Sequence, residues 1–406
     1  MPDLTEGQSL GPYRLVSRIG AGGFAEIWLA IASGPLGFEK KVALKILRAG
    51  TQVGERHFRS LVNEARLAGH LRHPHIVDFY GVAREGGLWF MAMEYVDGRS
   101  LRGLLRELDA LGVPLPHSVV LDVGIQIARA LTYAHEAVDN DGVSLSVIHR
   151  DLKPANILVA RHGGVKIADF GIASAATNLQ SLVGVKGTLA YMAPEYWAED
   201  PTIGPAVDLF ALGAVLYELV TGDQLFDGPN PAEIEAQALS GDPEAEAARA
   251  GERFPALAPI LRRLLDRDPD ARPRSAARVA SALVALRERR GAPGDIAQFL
   301  QLLDLAQMPR TARRVARADV HVPRTEAPGW SELARVIVGG TDTLGPSTED
   351  WVPTIEVRPT HETWEFSEGR APMIRPAPPR RLWLVLGGVA LGVALTLAAL
   401  AWLRLA

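Results

Sequence analysis

Three glycines, a lysine and a glutamate in the first part of the chain are of the types that bind and position phosphate groups. The glycines stand in a loop between two strand-like runs, which consists of Ile19, Gly20, Ala21, Gly22, Gly23, Phe24, Ala25, Glu26 and Ile27. Glycine lets backbone amides approach phosphate oxygens without a clash with Cβ. Lys45 could supply a cation to the phosphates, and Glu64 could hold that cation in place. Alone, these features also fit a hairpin turn, an exposed strand lysine and a solvated helical glutamate.

A second set of motifs is far more specific because of its order and spacing. It opens with the run His149-Arg150-Asp151-Leu152-Lys153-Pro154-Ala155-Asn156. Asp169-Phe170-Gly171 and then Ala193-Pro194-Glu195 follow along the chain. Any one of these tripeptides occurs by chance, but the whole set in this order and at these distances does not.

With these motifs, the chain resembles the eukaryotic-like protein kinases of bacteria, in the Ser/Thr branch. The resemblance covers residues 13–287. It implies a bilobal α+β fold, with a β-rich N-lobe over 13–96 and a helical C-lobe over 97–287. It also implies ATP and Mg²⁺ as cofactors, bound between the lobes, and serine or threonine hydroxyls of proteins as the substrates.

The resemblance assigns roles in the N-lobe to the matching residues. The loop 19–27 is expected to cover the ATP phosphates, with the small Ala25 tolerated where the family has glycine. Lys45 is expected to bind the α- and β-phosphates and to pair with Glu64. Met93 matches the gatekeeper position, and Glu94 and Val96 are expected to offer backbone groups to adenine.

In the C-lobe, the resemblance makes Asp151 the acceptor of the substrate's hydroxyl proton. Lys153 is expected to steady the γ-phosphate, and its presence favours Ser/Thr specificity, because tyrosine-directed members usually lack a lysine there. Asn156 and Asp169 are expected to hold Mg²⁺. Ser100 lies near the expected ribose position, although its side chain also fits a helix cap.

Further matches are structural or regulatory. Asp208 is expected to brace the catalytic loop, Glu195 to pair with Arg272, and Thr188 to lie beside the catalytic aspartate. Arg150 could pair with a phosphate on the loop 172–187 and so order that loop. The candidate phosphosites in the loop are Ser174, Thr177 and Ser181.

Hydrophobic periodicity predicts the elements that carry these residues. Strands are predicted over Tyr13–Ile19, Ala25–Ala32, Lys41–Leu47, Ile76–Val82 and Leu88–Tyr95. Helices are predicted over 57–72, 100–108, 119–135, 206–221, 259–266 and 276–289. A strand-rich unit followed by a helical unit agrees with the two lobes that the resemblance implies.

The composition changes after about Arg290. Residues 288–381 are rich in Pro, Arg and Thr, and a short helix is predicted over Ile296–Leu305. From Pro309 onward, the absence of periodicity predicts a mostly disordered juxtamembrane linker.

Residues 382–403 contain no charged side chain and, as a helix, would be about 33 Å long, so a single transmembrane helix is predicted. Arg375, Arg380 and Arg381 precede this span and, by the positive-inside rule, place the kinase domain in the cytoplasm at the cell membrane. Gly388 and Gly392 form a GxxxG pattern, which would either pair two copies of the chain or face membrane lipid.

The overall composition excludes several other functions. The 406 residues carry a net charge of −4, which gives no nucleic-acid footprint. The chain has 0 cysteines, which rules out disulfides, Cys-ligated metals and a Cys nucleophile. Two alternatives stay open, a pseudokinase that only binds and a small-molecule phosphotransferase. The complete set of Lys45, Glu64, Asp151, Asn156 and Asp169 favours catalysis, and the Ala-Pro-Glu motif with its Ser/Thr-containing loop favours protein substrates.

Overall fold

The computed structural model describes residues 4–22, 25–47, 69–139, 141–170, 188–198, 203–290, 295–308 and 328–338. All of them belong to one compact unit. Several predictions lie outside these ranges: Gly23 and Phe24, most of the helix 57–72 with Glu64, the loop with Ser174, Thr177 and Ser181, and the span 382–403 with Gly388 and Gly392. Within the described ranges, the helices are too short or too polar to cross a membrane.

The N-terminal lobe is an antiparallel sheet of six strands. They are β1 (Ser9–Leu10), β2 (Tyr13–Ala21), β3 (Ala25–Ser33), β4 (Glu39–Leu47), β5 (Phe79–Glu85) and β6 (Leu88–Glu94), in the order β1-β2-β3-β4-β6-β5. Because side chains alternate along a strand, the sheet has two apolar faces. One face holds Leu15, Leu44 and Phe90. The other holds Ala43, Met91 and Met93.

The strand predicted over Ile76–Val82 begins later, at Phe79. Ile76 instead forms an isolated parallel bridge with Ile167, and the Val77 N–H donates to the Ile167 oxygen at 2.9 Å. The apolar start of this segment is therefore buried against the C-terminal lobe rather than within the N-lobe sheet.

The C-terminal lobe combines a small sheet with helices. The sheet contains β7 (Gly98–Ser100), β8 (Ile157–Ala160) and β9 (Val165–Ile167), with β8 in the middle. Helices α1 (Leu101–Leu111), α2 (His117–His135) and α3 (Ala206–Thr221) pack behind it. All of α3 except its first residue is buried, as expected for a helix that is apolar on every side.

Four further helices complete this lobe: α4 (Pro231–Ser240), α5 (Pro243–Arg253), α6 (Ala258–Leu264) and α7 (Ala276–Arg290). The periodicity did not predict α4 and α5, but their capping residues were visible in the sequence. Asn230 precedes Pro231 and accepts a hydrogen bond from the Glu233 N–H at 3.0 Å. Asp242 precedes Pro243 and accepts from the Glu244 N–H at 3.0 Å. An Asn or Asp before Pro at the first helical position is a helix-start signal.

Two helices lie in the segment that was expected to be a linker. Helix α8 (Ile296–Gln307) confirms the short helix predicted there. Helix α9 (Trp330–Val338) contradicts the prediction of disorder for its residues. Trp330, Leu333 and Ile337 are buried, because they lie on one side of α9 and pack on the C-lobe.

Candidate active site

Lys45 of the N-lobe and Asp169 of the C-lobe form an ion pair between the two lobes. Lys45 is in β4, between Ile27 of β3 and Met91 of β6, so both neighbouring strands fix its position. Asp169 follows β9 and has a left-handed backbone, with φ of +53°. The Lys45 Nζ lies 2.8 Å from the Asp169 Oδ1. A cation from one lobe and a carboxylate from the other therefore face the same cleft. The partner predicted for Lys45 was Glu64, not Asp169.

In the catalytic loop, Asp151 lies within hydrogen-bonding distance of two other predicted residues, Lys153 and Asn156. The Lys153 Nζ donates to the Asp151 Oδ1 at 2.8 Å and to its Oδ2 at 2.7 Å. The same ammonium donates to the Thr188 Oγ1 at 2.8 Å. The side-chain amide of Asn156 donates to the Asp151 backbone oxygen at 2.9 Å and to its Oδ2 at 3.0 Å. Thr188 thus lies beside the catalytic loop, as the resemblance implied.

Asp208 holds the start of this loop from beneath. Its Oδ2 accepts the His149 N–H and its Oδ1 accepts the Arg150 N–H, each at 2.8 Å. The His135 Nε2 lies 2.8 Å from the same Oδ2. Burial alone would raise the pKa of Asp208, but the hydrogen bonds from His135 and the His149 N–H outweigh it and lower the pKa. Arg150 has φ of +64°, a conformation that costs a non-glycine residue energy. Asp208 therefore stabilises a strained turn just before Asp151.

The predicted pair between Glu195 and Arg272 is also present. Arg272 Nη1 and Nη2 donate to the two carboxylate oxygens of Glu195 at 2.7 and 2.8 Å. Arg272 also donates to the backbone oxygens of Asp266 and Ala206. The Arg272 side chain is fully buried, so the pair fixes the Ala-Pro-Glu motif to the segments around Ala206 and Asp266.

Glu94, at the start of the segment that joins the lobes, is held by an ion pair and by hydrogen bonds. The Glu94 carboxylate accepts from the Lys166 Nζ at 2.9 Å and from the Asp78 N–H at 3.1 Å. The Glu94 N–H donates to the Asp78 oxygen at 2.8 Å and so is not available to a ligand. Ser100 caps α1, because its Oγ accepts from the Gly103 N–H at 3.1 Å. The lysine at 166 was not predicted to have a role.

A second network that was not predicted lies behind a groove next to Lys153. The buried Glu218 accepts from Arg102 at 2.9 Å and from the Tyr191 hydroxyl at 2.5 Å. Burial raises the pKa of Glu218 and also that of the Tyr191 phenol. The groove has a volume of about 610 Å³, and its walls include Arg102, Thr188 and Phe226. The sequence signal that could have indicated this network is Glu218, a charged residue within the largely apolar helix α3.

The arrangement can hold phosphate groups and a hard divalent cation. Carboxylate and amide oxygens are the ligands that Mg²⁺ prefers, usually one or two of them together with phosphate oxygens. Asn156 and Asp169 offer such oxygens. Both amide hydrogens of Asn156 are directed to Asp151, which leaves its Oδ1 as the acceptor for a cation. In the part of the chain that the structure describes, His, Asp and Glu form no group of three that could bind a metal on their own.

Comparison with known proteins identifies the family. A family model described as the protein kinase domain matches residues 13–283. The chain therefore belongs to the protein kinase family.

The relatives carry two kinds of name. The chain is 38% identical over 237 residues to the tyrosine-protein kinase MasK of Myxococcus xanthus. The matched region covers 58% of this chain and 36% of that protein. It is 31% identical over 322 residues to the serine/threonine-protein kinase PknB of Mycolicibacterium smegmatis. That matched region covers 77% of this chain and 49% of that protein. This chain thus spans half or less of the length of these curated relatives.

A solved structure supports the same fold. The kinase domain of Mycobacterium tuberculosis PknI matches with a TM-score of 0.50 and 27% identity. The match covers 71% of this chain and 100% of that domain. The prediction of a β-rich lobe followed by a helical lobe is confirmed.

Proposed function

We propose that this chain transfers the γ-phosphoryl group of ATP to serine or threonine hydroxyls of proteins. The observation that carries the proposal is the constellation around Asp151. Its carboxylate lies within hydrogen-bonding distance of Lys153 and Asn156, and Thr188 shares the same lysine. Lys45 and Asp169 complete the set across the cleft.

Each residue has a role that follows from its position. Asp151 is the carboxylate available to accept the proton of the substrate hydroxyl. Lys153 is already bound to Asp151, so its charge lies where negative charge develops on the transferred group. Lys45 would bind the nucleotide phosphates, and Asn156 and Asp169 would hold Mg²⁺. The metal ion, when bound, neutralises phosphate charge, and the chain's own residues do the positioning.

Serine or threonine is the favoured acceptor. The support is Lys153, a lysine typical of this branch, whose Nζ donates to the Asp151 carboxylate and to the Thr188 Oγ1. The name of MasK makes tyrosine the second candidate, because that protein is 38% identical over the matched residues.

One labelling experiment separates these functions from each other and from a pseudokinase. The full-length chain is incubated with Mg²⁺ and ATP labelled at the γ-phosphate, and the labelled protein is hydrolysed to phosphoamino acids. Phosphoserine or phosphothreonine supports the proposal, and phosphotyrosine alone supports the second candidate. If wild-type protein is no more labelled than Asp151→Asn, self-phosphorylation fails as support, and added protein substrates must then be labelled for the proposal to survive.

We also propose that phosphorylation of the loop 172–187 activates the kinase. The support is Arg150, whose backbone is fixed by Asp208 next to the catalytic aspartate. An arginine can bind a phosphate with two parallel hydrogen bonds and thereby order a loop. Ser174, Thr177 and Ser181 are the candidates. Mass spectrometry of fully active protein should find phosphate on at least one of them, and an unmodified loop would contradict the proposal.

Membrane anchoring through residues 382–403 completes the proposal. The support is the absence of charge over a length sufficient to span a bilayer, with arginines on its N-terminal side. The kinase domain is then cytoplasmic, and protease added outside intact cells should leave it uncut. If Gly388 and Gly392 pair two copies, changing both to Ile should lower crosslinked dimer and self-phosphorylation in membranes. No change in either would remove the dimer and leave the kinase assignment standing.

A further inference from the structure

Helix α8 lies beyond the residues 13–283 that match the kinase family, yet it is packed into the C-lobe. More than half of its residues are buried, and Phe299, Leu302 and Leu303 are fully buried. Helix α9 holds it in place. The Trp330 ring meets Phe299 edge-on at 5.6 Å, and the Trp330 indole N–H donates to the Ser118 Oγ at 3.3 Å. The helix is therefore a fixed part of the folded unit.

Asp304, near the end of α8, pairs with two arginines, one in the small sheet and one directly after it. Its Oδ1 pairs with Arg99 of β7, and its Oδ2 accepts from the Arg161 Nη1 at 2.9 Å. Arg99 is largely buried and also pairs with Glu107 of α1. Arg161 follows β8 directly, and its Nε lies 3.6 Å from the Asp97 Oδ1. One carboxylate thus bridges the strand β7 and the end of the strand β8.

The two bridged strands flank the expected nucleotide. Strand β7 follows the segment that joins the lobes and ends at Ser100, near the expected ribose. Strand β8 begins directly after Asn156, an expected Mg²⁺ ligand. Gly98 pairs with Ala160 and packs so closely that a Cβ would lie 2.1 Å from the Val159 oxygen. A shift of β7 against β8 therefore moves the ribose side of the cleft relative to the metal side.

We propose that Asp304 is a positioning residue for the nucleotide, acting through Arg99 and Arg161 to fix β7 against β8. The inference rests on the proposed function, because it takes ATP as the ligand of the cleft. It gives a helix outside the family match a part in nucleotide binding.

The test measures ATP binding directly, by calorimetry on the full-length chain in detergent with Mg²⁺. Asp304→Asn removes the charge at nearly constant shape, and we expect its Kd for ATP to rise about fivefold, or about 1 kcal/mol. Asp304→Glu keeps the charge and should restore most of the affinity. Arg161→Gln is a second variant, which is safe for folding because that side chain is 62% exposed. Its Kd should rise at least about twofold, or about 0.4 kcal/mol.

Gln301→Ala is the matched control, because Gln301 lies one turn before Asp304 on the same helix and is exposed. Gln307 is not suitable, because it donates at 2.9 Å to Glu107, which also pairs with Arg99. The Kd of Gln301→Ala for ATP should stay at the wild-type value. In an active protein, Asp304→Asn should raise the KM for ATP and leave kcat nearly unchanged.

Two results would overturn the inference. One is a wild-type Kd in both Asp304→Asn and Arg161→Gln. The other is an Asp304→Asn protein that melts earlier but binds ATP normally, because Asp304 would then only hold the helix. The binding measurement does not depend on phosphotransfer. A wild-type chain that binds ATP but labels no protein would contradict the proposed function. The Kd values of the variants would still decide the role of Asp304.

Discussion

Replacing Asp208 by Asn tests how the catalytic loop is held. The carboxylate is fully buried and accepts hydrogen bonds from two backbone N–H groups and from His135. Asparagine has only one side-chain oxygen. With that oxygen on the side of His149 and His135, its amide hydrogens face the Arg150 N–H, which then has no acceptor.

The expected loss of stability follows from these bonds. A hydrogen bond to a charged group contributes about 1.5–3 kcal/mol, and an unsatisfied buried donor costs about 1–3 kcal/mol. Losing one such bond and the charge beside His135 should lower the free energy of unfolding by about 3 kcal/mol, in line with the cost of removing one partner of a buried pair. The strained turn at Arg150 should then relax and move Asp151, so we expect kcat to fall more than about tenfold, which is about 1.4 kcal/mol in the barrier.

The assay combines urea unfolding with the rate of phosphoryl transfer. The matched control is Asp223→Asn, at the exposed ion pair with Arg249, which should cost less than about 1 kcal/mol. Because the fold lowers the pKa of Asp208, its charged form stabilises the protein above the ordinary value of 3.8, and this stabilisation is lost as the pH falls below it. The stability difference between wild type and variant should therefore shrink only at acid pH. An Asp208→Asn protein with wild-type stability and kcat would refute the bracing role.

Three further substitutions have distinct expected outcomes. Lys45→Met should lower kcat/KM for ATP at least about 100-fold, because it removes a cation from the phosphate site, and steady-state kinetics measure this. Arg272→Met leaves the Glu195 carboxylate without its buried partner and should cost about 3–5 kcal/mol in thermal unfolding. Trp330→Ala should cost about 3–5 kcal/mol by leaving a cavity against the C-lobe. An unchanged melting temperature for Trp330→Ala would show that α9 contributes nothing to the folded unit.

The sequence predicted most of the described site because its motifs are local. Asp151, Lys153 and Asn156 stand in one short run, so the turn Pro154–Asn156 alone brings the last of them back to the first. Lys45 and Asp169 come from different lobes; the resemblance to a family implied that both act on the nucleotide and its metal ion, but their contact was not predicted. The partner proposed for Lys45, Glu64, lies outside the described residues and stays a prediction.

The networks that were missed depend on contacts between distant parts of the chain. Arg102, Tyr191 and Glu218 belong to three separate elements, and nothing in their spacing places them together. The pair of Lys166 and Glu94 joins β9 to the end of β6 in the same way. Periodicity detects which face of an element is apolar, but it does not show which polar side chains meet across elements.

Helix α9 is the part of the segment after α7 that the sequence interpretation missed, and the cause is compositional. The segment is rich in Pro and polar residues on average, which is typical of disorder. Helix α9 is only nine residues long, and its buried residues include Trp330, Leu333 and Ile337. Gly329 before it has φ of +87° and lies so close to Pro114 that no side chain fits. Because α9 is short and is stabilised by packing on the C-lobe, its apolar pattern is too weak to stand out in the average composition of the segment.

The most direct test of the central claim compares phosphoryl transfer by wild-type protein and by Asp151→Asn, with casein as the acceptor and ATP affinity measured in parallel. We predict that the variant binds ATP as tightly as wild type, because Asp151 acts on the hydroxyl and not on the nucleotide. Its transfer rate should fall by a factor of about 100 or more, as expected when a general base is removed. A variant that transfers phosphate at nearly the wild-type rate would contradict the assignment of the active site.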